Sequence, residues 1–94
     1  MSTDLKIYEQ SVTYVNNRRR KQLDEICTVW GSELIEEIME KGERNWYISS
    51  ECGAEFELLG DEILEFADEI KKYDKDFNPK SIDINEWYRC EVSY

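Results

Sequence analysis

The chain has 94 residues, of which 40% are hydrophobic and 36% charged, and its 22 acidic and 12 basic side chains give a formal net charge of −10. This length fits a single domain over residues 1–94 with a modest core. The absence of histidine excludes His-based catalytic triads and imidazole metal sites, and the absence of a long apolar run predicts a cytoplasmic protein that does not bind membranes, in the host cytoplasm if a phage encodes it.

The first third of the chain favours two helices. The first begins at Thr3 or Asp4 and presents a stripe at helical spacing: Leu5, Tyr8, Val12 and Val15. A strand over residues 11–15 is the alternative, because β-branched and aromatic residues cluster there. A second stripe predicts the second helix: Leu23, Ile26, Cys27 and Trp30. Whether residues 4–30 form one helix, two helices or include a strand stays open.

A basic cluster, Arg18–Lys21, follows Asn16 and Asn17, which favour a turn. Four cations beside a net charge of −10 make a poor phosphate-binding site. We therefore interpret the cluster as a helix end or as an internal clamp on the acidic surface.

The whole formal net charge comes from residues 33–76, which contain 15 acidic and only 5 basic residues. The stretch opens with a helix whose apolar side is Leu34, Ile35, Ile38 and Met39. Its other side is a ladder of carboxylates about 5–6 Å apart: Glu33, Glu36, Glu37 and Glu40. Lys41 and Gly42 then favour the helix end.

Two alternating runs around Cys52–Gly53 predict a β-hairpin with glutamates on its outer face. A helix follows, with a buried stripe at Ile63, Phe66, Ala67, Ile70 and Tyr73. Its exposed side carries Asp61, Glu62, Glu65, Asp68 and Glu69. Alternation at residues 88–94 adds a third strand to the hairpin. The sequence thus predicts an α+β domain: N-terminal helices, a β-hairpin, a further helix and a C-terminal strand completing a small antiparallel sheet.

Catalytic groups are scarce in this sequence. Cys27, Cys52 and Cys90 are odd in number and widely spaced, which indicates reduced core residues rather than a disulfide framework or a zinc site. We expect no catalytic residue, no metal and no cofactor.

Two acidic segments support an alternative in which the protein is an enzyme. Residues 36–40 have the form E-E-x-x-E and residues 65–68 the form E-x-x-D. Together they resemble the magnesium-binding signature of the all-α MazG-type nucleotide pyrophosphatases, and the resemblance implies Mg²⁺-dependent attack on a nucleoside triphosphate. The predicted hairpin departs from that family, and the buried stripe points Glu65 and Asp68 to solvent.

The leading hypothesis uses the charge itself. Duplex DNA carries about one negative charge per 1.7 Å of axis, so carboxylates on a rigid surface can occupy a groove that binds nucleic acid. In size, acidity and lack of catalytic groups the chain resembles the small phage-encoded inhibitors of bacterial defence, including anti-CRISPR proteins and DNA mimics. The resemblance implies an inhibitor of anti-CRISPR or anti-restriction type that binds a nuclease or effector complex and does not itself bind nucleic acid.

The periodicity predicts which residues would contact that partner. They are Glu33, Glu36, Glu37, Glu40, Asp61, Glu62, Glu65, Asp68 and Glu69. Exposed aromatics are candidate anchors: Tyr47, Tyr73 and Trp87. An inhibitor of another basic enzyme, and a protein-interaction module with an incidental acidic face, stay open.

Overall fold

The computed structural model describes residues 3–9, 14–15, 19–20 and 25–94. In this part of the chain the strands are β1 (Asp4–Glu9), β2 (Tyr14–Val15), β3 (Arg19–Arg20), β4 (Glu25–Val29), β5 (Trp46–Ser50), β6 (Gly53–Leu59) and β7 (Trp87–Ser93). The helices are α1 (Ser32–Lys41), α2 (Gly60–Leu64) and α3 (Ala67–Tyr73), with 3₁₀ turns at Glu43–Asn45 and Pro79–Ser81. The predicted α+β class is confirmed.

One five-stranded antiparallel sheet, in the order β4-β1-β7-β6-β5, forms the framework, and β2 pairs with β3 in a separate ladder. The central strand β7 and its neighbour β1 come from opposite ends of the chain. Alternate residues of β6 and β7 point into one core with residues of all three helices. The helices therefore cover one face of the sheet, and the other face carries the polar alternates.

The predicted first helix is wrong, because its residues form β1. Leu5 and Ile7 are fully buried, whereas Lys6 and Tyr8 point to the opposite face. The helical stripe matched Leu5 and Tyr8 by coincidence of spacing. Pairing of β1 with both β4 and β7 decides the outcome, since tertiary pairing overrides a weak local preference. Val12 and most of the alternative strand lie outside the described residues, although Tyr14 and Val15 form β2.

The predicted second helix is also wrong, because β4 occupies its centre. Cys27 and Val29 are buried on the core face, opposite Ile7 and Leu5 of β1. Trp30 is 55% exposed and does not join that face. Arg19 and Arg20 lie in β3 and not at a helix end, whereas Leu23, Arg18 and Lys21 lie outside the described residues.

The hairpin and the C-terminal strand are confirmed. Chain reversal at Glu51–Cys52, one residue before the predicted Cys52–Gly53, joins β5 to β6, and β7 pairs with β6 as predicted. Ala54, Phe56 and Leu58 are buried. The prediction that all three cysteines are core residues holds for Cys27 and Cys90 and is wrong for Cys52, which is exposed at the hairpin turn.

The helix predicted from Asp61 onwards is broken into two. The Phe66 N–H donates to the Ile63 carbonyl at 3.0 Å, a three-residue turn that ends α2, and α3 then starts from Ala67. The break has a packing reason. On the same face of the sheet, α2 contacts β6, whereas α3 contacts the edge strand β4, three positions away. Ile63 and Ile70 are both fully buried on either side of it.

Candidate partner-binding surface

Helix α1 carries the first acidic ladder. Leu34, Ile35 and Ile38 are buried against the sheet, as their spacing predicts. The four glutamates on the other side are all exposed: Glu33, Glu36, Glu37 and Glu40. Gly42 ends the helix, and its N–H donates to the Ile38 carbonyl at 3.1 Å.

Helices α2 and α3 carry the second acidic ladder, with one exception. Asp61, Glu65, Asp68 and Glu69 are exposed. Glu62 is half-buried, and its Oε1 accepts a hydrogen bond from the Leu59 N–H at 3.0 Å. Glu62 therefore caps the start of α2, and its contact with a partner stays a prediction.

The two ladders meet at a groove, which we name the α1–α3 groove. It encloses about 440 Å³ and is lined by Glu37, Glu40, Lys41, Glu65, Phe66 and Glu69. Lys41 Nζ lies 2.8 Å from Glu65 Oε2 and bridges its two sides. The hydrogen bond and charge of Glu65 raise the pKa of Lys41, and nearby Glu62 and Asp61 act in the same direction. The groove thus places four carboxylates around one cation from the chain itself.

A second groove, the α1–β5 groove, lies on the other flank of α1. It encloses about 380 Å³ and is lined by Glu36, Met39, Glu40, Glu43 and Trp46. The Trp46 Nε1–H donates to the Met39 carbonyl at 3.3 Å, and the indole stacks on Phe56 with ring centroids 6.2 Å apart. These contacts fix an aromatic wall beside three carboxylates. Glu40 lines both grooves, so they form one surface across α1.

The remaining predicted residues lie nearby or elsewhere. Glu33, Asp61 and Asp68 are exposed on the same helices but line neither groove. The hairpin glutamates, Glu55 and Glu57, are half-buried on the opposite face of the sheet. There Arg89 forms ion pairs with Glu55 and with Glu91, the latter at 3.2 Å. The carboxylates of the acidic surface therefore come from the helices and the 3₁₀ turn at Glu43–Asn45 and do not include the hairpin glutamates, Glu55 and Glu57.

The sequence prediction missed several residues of this surface. Lys41 was interpreted only as a helix terminator, and Phe66 only as a core residue. Glu43 and Trp46 line the α1–β5 groove but belong to no helical stripe, since one lies in a 3₁₀ turn and the other begins β5. Spacing within one element could not find them, because the grooves form between elements.

Two of the predicted aromatic anchors, Tyr73 and Trp87, lie outside both grooves and are 44% and 39% exposed. The third, Tyr47, has a side chain that lies outside the described part of the structure. Trp30, which the sequence analysis placed on the stripe of the second helix, is 55% exposed.

The arrangement differs from that of a MazG-type pyrophosphatase. That family is all-α, whereas β5 and β6 separate the two acidic segments here. Over residues 3–9, 14–15, 19–20 and 25–94, no group of three or more His, Cys, Asp or Glu side chains has a geometry that could hold a metal ion.

Comparisons of the chain with protein-family models, with curated proteins and with solved structures find no match. Within the described ranges, no helix is long and apolar enough to cross a membrane.

Proposed function

We propose that this protein is a non-enzymatic, cytoplasmic inhibitor that binds the basic nucleic-acid-binding surface of a partner, in the manner of an anti-CRISPR or anti-restriction nucleic-acid mimic. One observation carries the proposal: the carboxylates of α1 and of α2–α3 line a common groove. Had the two ladders pointed apart, each would resemble an ordinary solvated helix face.

The spacing of the carboxylates supports mimicry of a phosphate backbone. The Cβ atoms of neighbouring glutamates on α1 are about 5–6 Å apart, and adjacent phosphates of one DNA strand are separated by a comparable distance. Because α1 packs on the sheet, the backbone that carries these glutamates is held in place before binding. A fixed array of this kind attracts a basic partner over long range and in a salt-dependent manner.

Lys41 supports the same interpretation. It is the cation that lines the α1–α3 groove, and it bridges to Glu65 across the groove. An exposed salt bridge of this kind contributes little to stability. A cation of a partner can therefore replace Lys41 at Glu65, and Lys41→Gln is expected to strengthen binding of a basic partner.

The test is affinity capture from a bacterial lysate at low and high salt, with and without double-stranded DNA as competitor. The expected captured protein binds nucleic acid, is displaced by DNA and is lost at high salt. Partners that persist at high salt and ignore DNA would contradict mimicry and favour a protein-interaction module.

A pair of variants with equal charge separates the surface from the net charge. The test variant carries Gln at four groove positions: Glu36, Glu37, Glu40 and Glu69. The control carries Gln or Asn at four exposed acidic positions elsewhere: Glu9, Glu51, Asp76 and Glu86. Loss of capture in the test variant alone is expected, and equal loss in both would assign binding to net charge.

A further inference from the structure

The two edge strands of the sheet, β4 and β5, differ in what lies beside them. At the β4 edge, the Thr28 N–H donates to Asp74 Oδ2 at 3.1 Å, and α3 packs beside the strand. At the β5 edge, no strand of the described chain pairs with the outer side of Trp46–Ser50. A strand edge with unpaired main-chain groups is a template for another extended chain.

The α1–β5 groove adjoins the start of this open edge. Met39 and Trp46 supply apolar surface, whereas Glu36, Glu40 and Glu43 supply exposed carboxylates. A side chain with an aliphatic stem and a cationic head satisfies both, because the stem packs on the apolar wall and the head meets the carboxylates. Arginine fits best, since its planar guanidinium binds carboxylates and stacks on indole.

We propose that an extended, basic segment of the partner pairs with β5 and places its arginine or lysine side chains in the α1–β5 groove. This inference rests on the proposed function and specifies how the partner binds. The register of β5 shifts between Trp46 and Ile48, and Ile48–Ser50 then pairs residue by residue with Gly53–Glu55. The regular portion after the shift is the template.

The acidic charge of this chain argues against a second copy of it as the occupant of the β5 edge. Edge-to-edge pairing of two copies would bring the glutamates beside both β5 strands towards one another. Each copy also carries a net charge of −10. A basic segment has the opposite sign and gains from the same groups that repel a copy.

The probe is a peptide of about eight residues in which arginine and valine alternate, added to the full chain. Two further peptides carry N-methyl groups on one or the other alternate set of backbone nitrogens, so all three share charge and side chains. One methylated set should bind about tenfold or more weakly, because its edge hydrogen bonds to β5 are lost. The other set, whose N–H groups point away from β5, should bind like the parent.

Calorimetry gives the affinities, and hydrogen exchange of the backbone amides of residues 46–50 reports pairing. Binding of the parent peptide should slow exchange in β5. Equal affinity of all three peptides, or unchanged exchange in β5, would overturn the inference. Self-association of the free chain through β5, detected by sedimentation, would also overturn it and would make a second copy the occupant.

Single substitutions of equal charge locate the basic side chains. Glu43→Gln alters the α1–β5 groove, whereas Glu69→Gln alters the α1–α3 groove. Glu43→Gln should weaken peptide binding several-fold more than Glu69→Gln, and equal effects would contradict the placement. Salt-sensitive, DNA-competed capture of a basic partner with no protection of β5 would leave the proposed function intact and overturn this inference alone.

Discussion

A methyl group would collide at each of the four glycines, and at two of them the nature of the neighbour predicts different costs. A Cβ at Gly60 would lie 1.9 Å from the Asp83 carbonyl oxygen, and the Gly60 N–H already donates to the Glu86 carbonyl at 2.9 Å. A Cβ at Gly31 would lie 2.2 Å from the Tyr73 Oη, at the end of an exposed side chain that can rotate away.

Gly60→Ala should therefore lower the free energy of unfolding by about 1–3 kcal/mol, because the backbone on both sides must shift. Gly31→Ala should lower it by clearly less. Urea unfolding of the two variants and the parent protein measures both values. Equal losses would show that the Asp83 loop yields as easily as the Tyr73 side chain.

Burial divides the cysteines into two classes. Cys27 and Cys90 are buried and Cys52 is exposed. Reaction of the native protein with a chromogenic disulfide reagent at about pH 8 should release one equivalent of the reagent's coloured thiolate. The unfolded protein should release three, because reaction needs an accessible protein thiolate. Cys52→Ser should abolish the native equivalent. Rapid release of more than one native equivalent would contradict the burial of Cys27 in β4 or of Cys90 in β7.

The buried thiols also predict a loss of stability in alkali. Burial, with smaller contributions from Asp74 and Glu25, raises the pKa of Cys27 from its ordinary value of 9.0 to about 12. Burial likewise raises the pKa of Cys90. Because the folded state holds these protons more tightly, the unfolded chain loses them first as pH rises, and the free energy of unfolding falls.

For Cys27 this fall extends from about pH 9 to about pH 12, at about 1.4 kcal/mol per pH unit. Urea unfolding measured across that range should show a shallower fall for Cys27→Ala than for the parent protein. The cavity in the variant lowers its starting stability, so the slopes and not the absolute values are compared. Parallel curves would contradict the assignment.

At the scale of elements, α2 depends on a single side-chain cap. The Glu62 carboxylate accepts the Leu59 N–H, and Leu59 has no side-chain acceptor with which to cap the helix itself. Glu62→Ala should cost about 1 kcal/mol of unfolding free energy. Glu62→Gln keeps an acceptor oxygen and should cost less than half of that.

The Gln variant also tests whether Glu62 contacts the partner. Partner capture by Glu62→Gln should match capture by a control substitution such as Glu86→Gln, which removes an equal charge at an exposed position. Preserved stability with a greater loss of capture would place Glu62 on the binding surface.

The elements that the sequence predicted correctly are those decided by nearby residues. Helix α1 follows from one clean stripe, and β5 pairs with β6 across a short turn. Strands β1 and β4 were mistaken for helices because their identity depends on distant pairing: β4 pairs with β1, and β1 pairs with β7 at the other end of the chain. The broken helix was missed for a related reason, since contact with two different strands decides it.

The candidate surface shows the same division between local and distant information. Each acidic ladder could be predicted from spacing within one short stretch of chain, although the second is divided between α2 and α3. The meeting of the ladders could not, since it depends on the break at Phe66 and on the sheet beneath both helices. Glu43 and Trp46 could not be predicted from periodicity within a single helix or strand either, because their groove forms between elements.

At the scale of the whole molecule, the charge distribution sets a conflict between folding and binding. Residues 33–76 hold the entire net charge of −10. On α1, like charges at i, i+3 and i, i+4 each destabilise the helix by about 0.2–0.5 kcal/mol. Salt screens these repulsions, because the Debye length at physiological ionic strength is only about 8 Å.

Replacing three glutamates of α1 by glutamine, at Glu36, Glu37 and Glu40, should therefore raise the melting temperature at low salt. The expected gain is a few degrees, since about 1 kcal/mol shifts a domain of this size by roughly 4–8 °C. Thermal unfolding at low salt and at about 0.5 M NaCl measures it, and the gain should shrink at high salt. The same variant should lose partner capture, so that stability and binding change in opposite directions. A variant no more stable than the parent at low salt would mean that these carboxylates repel one another too weakly to oppose folding, and the conflict would then be absent.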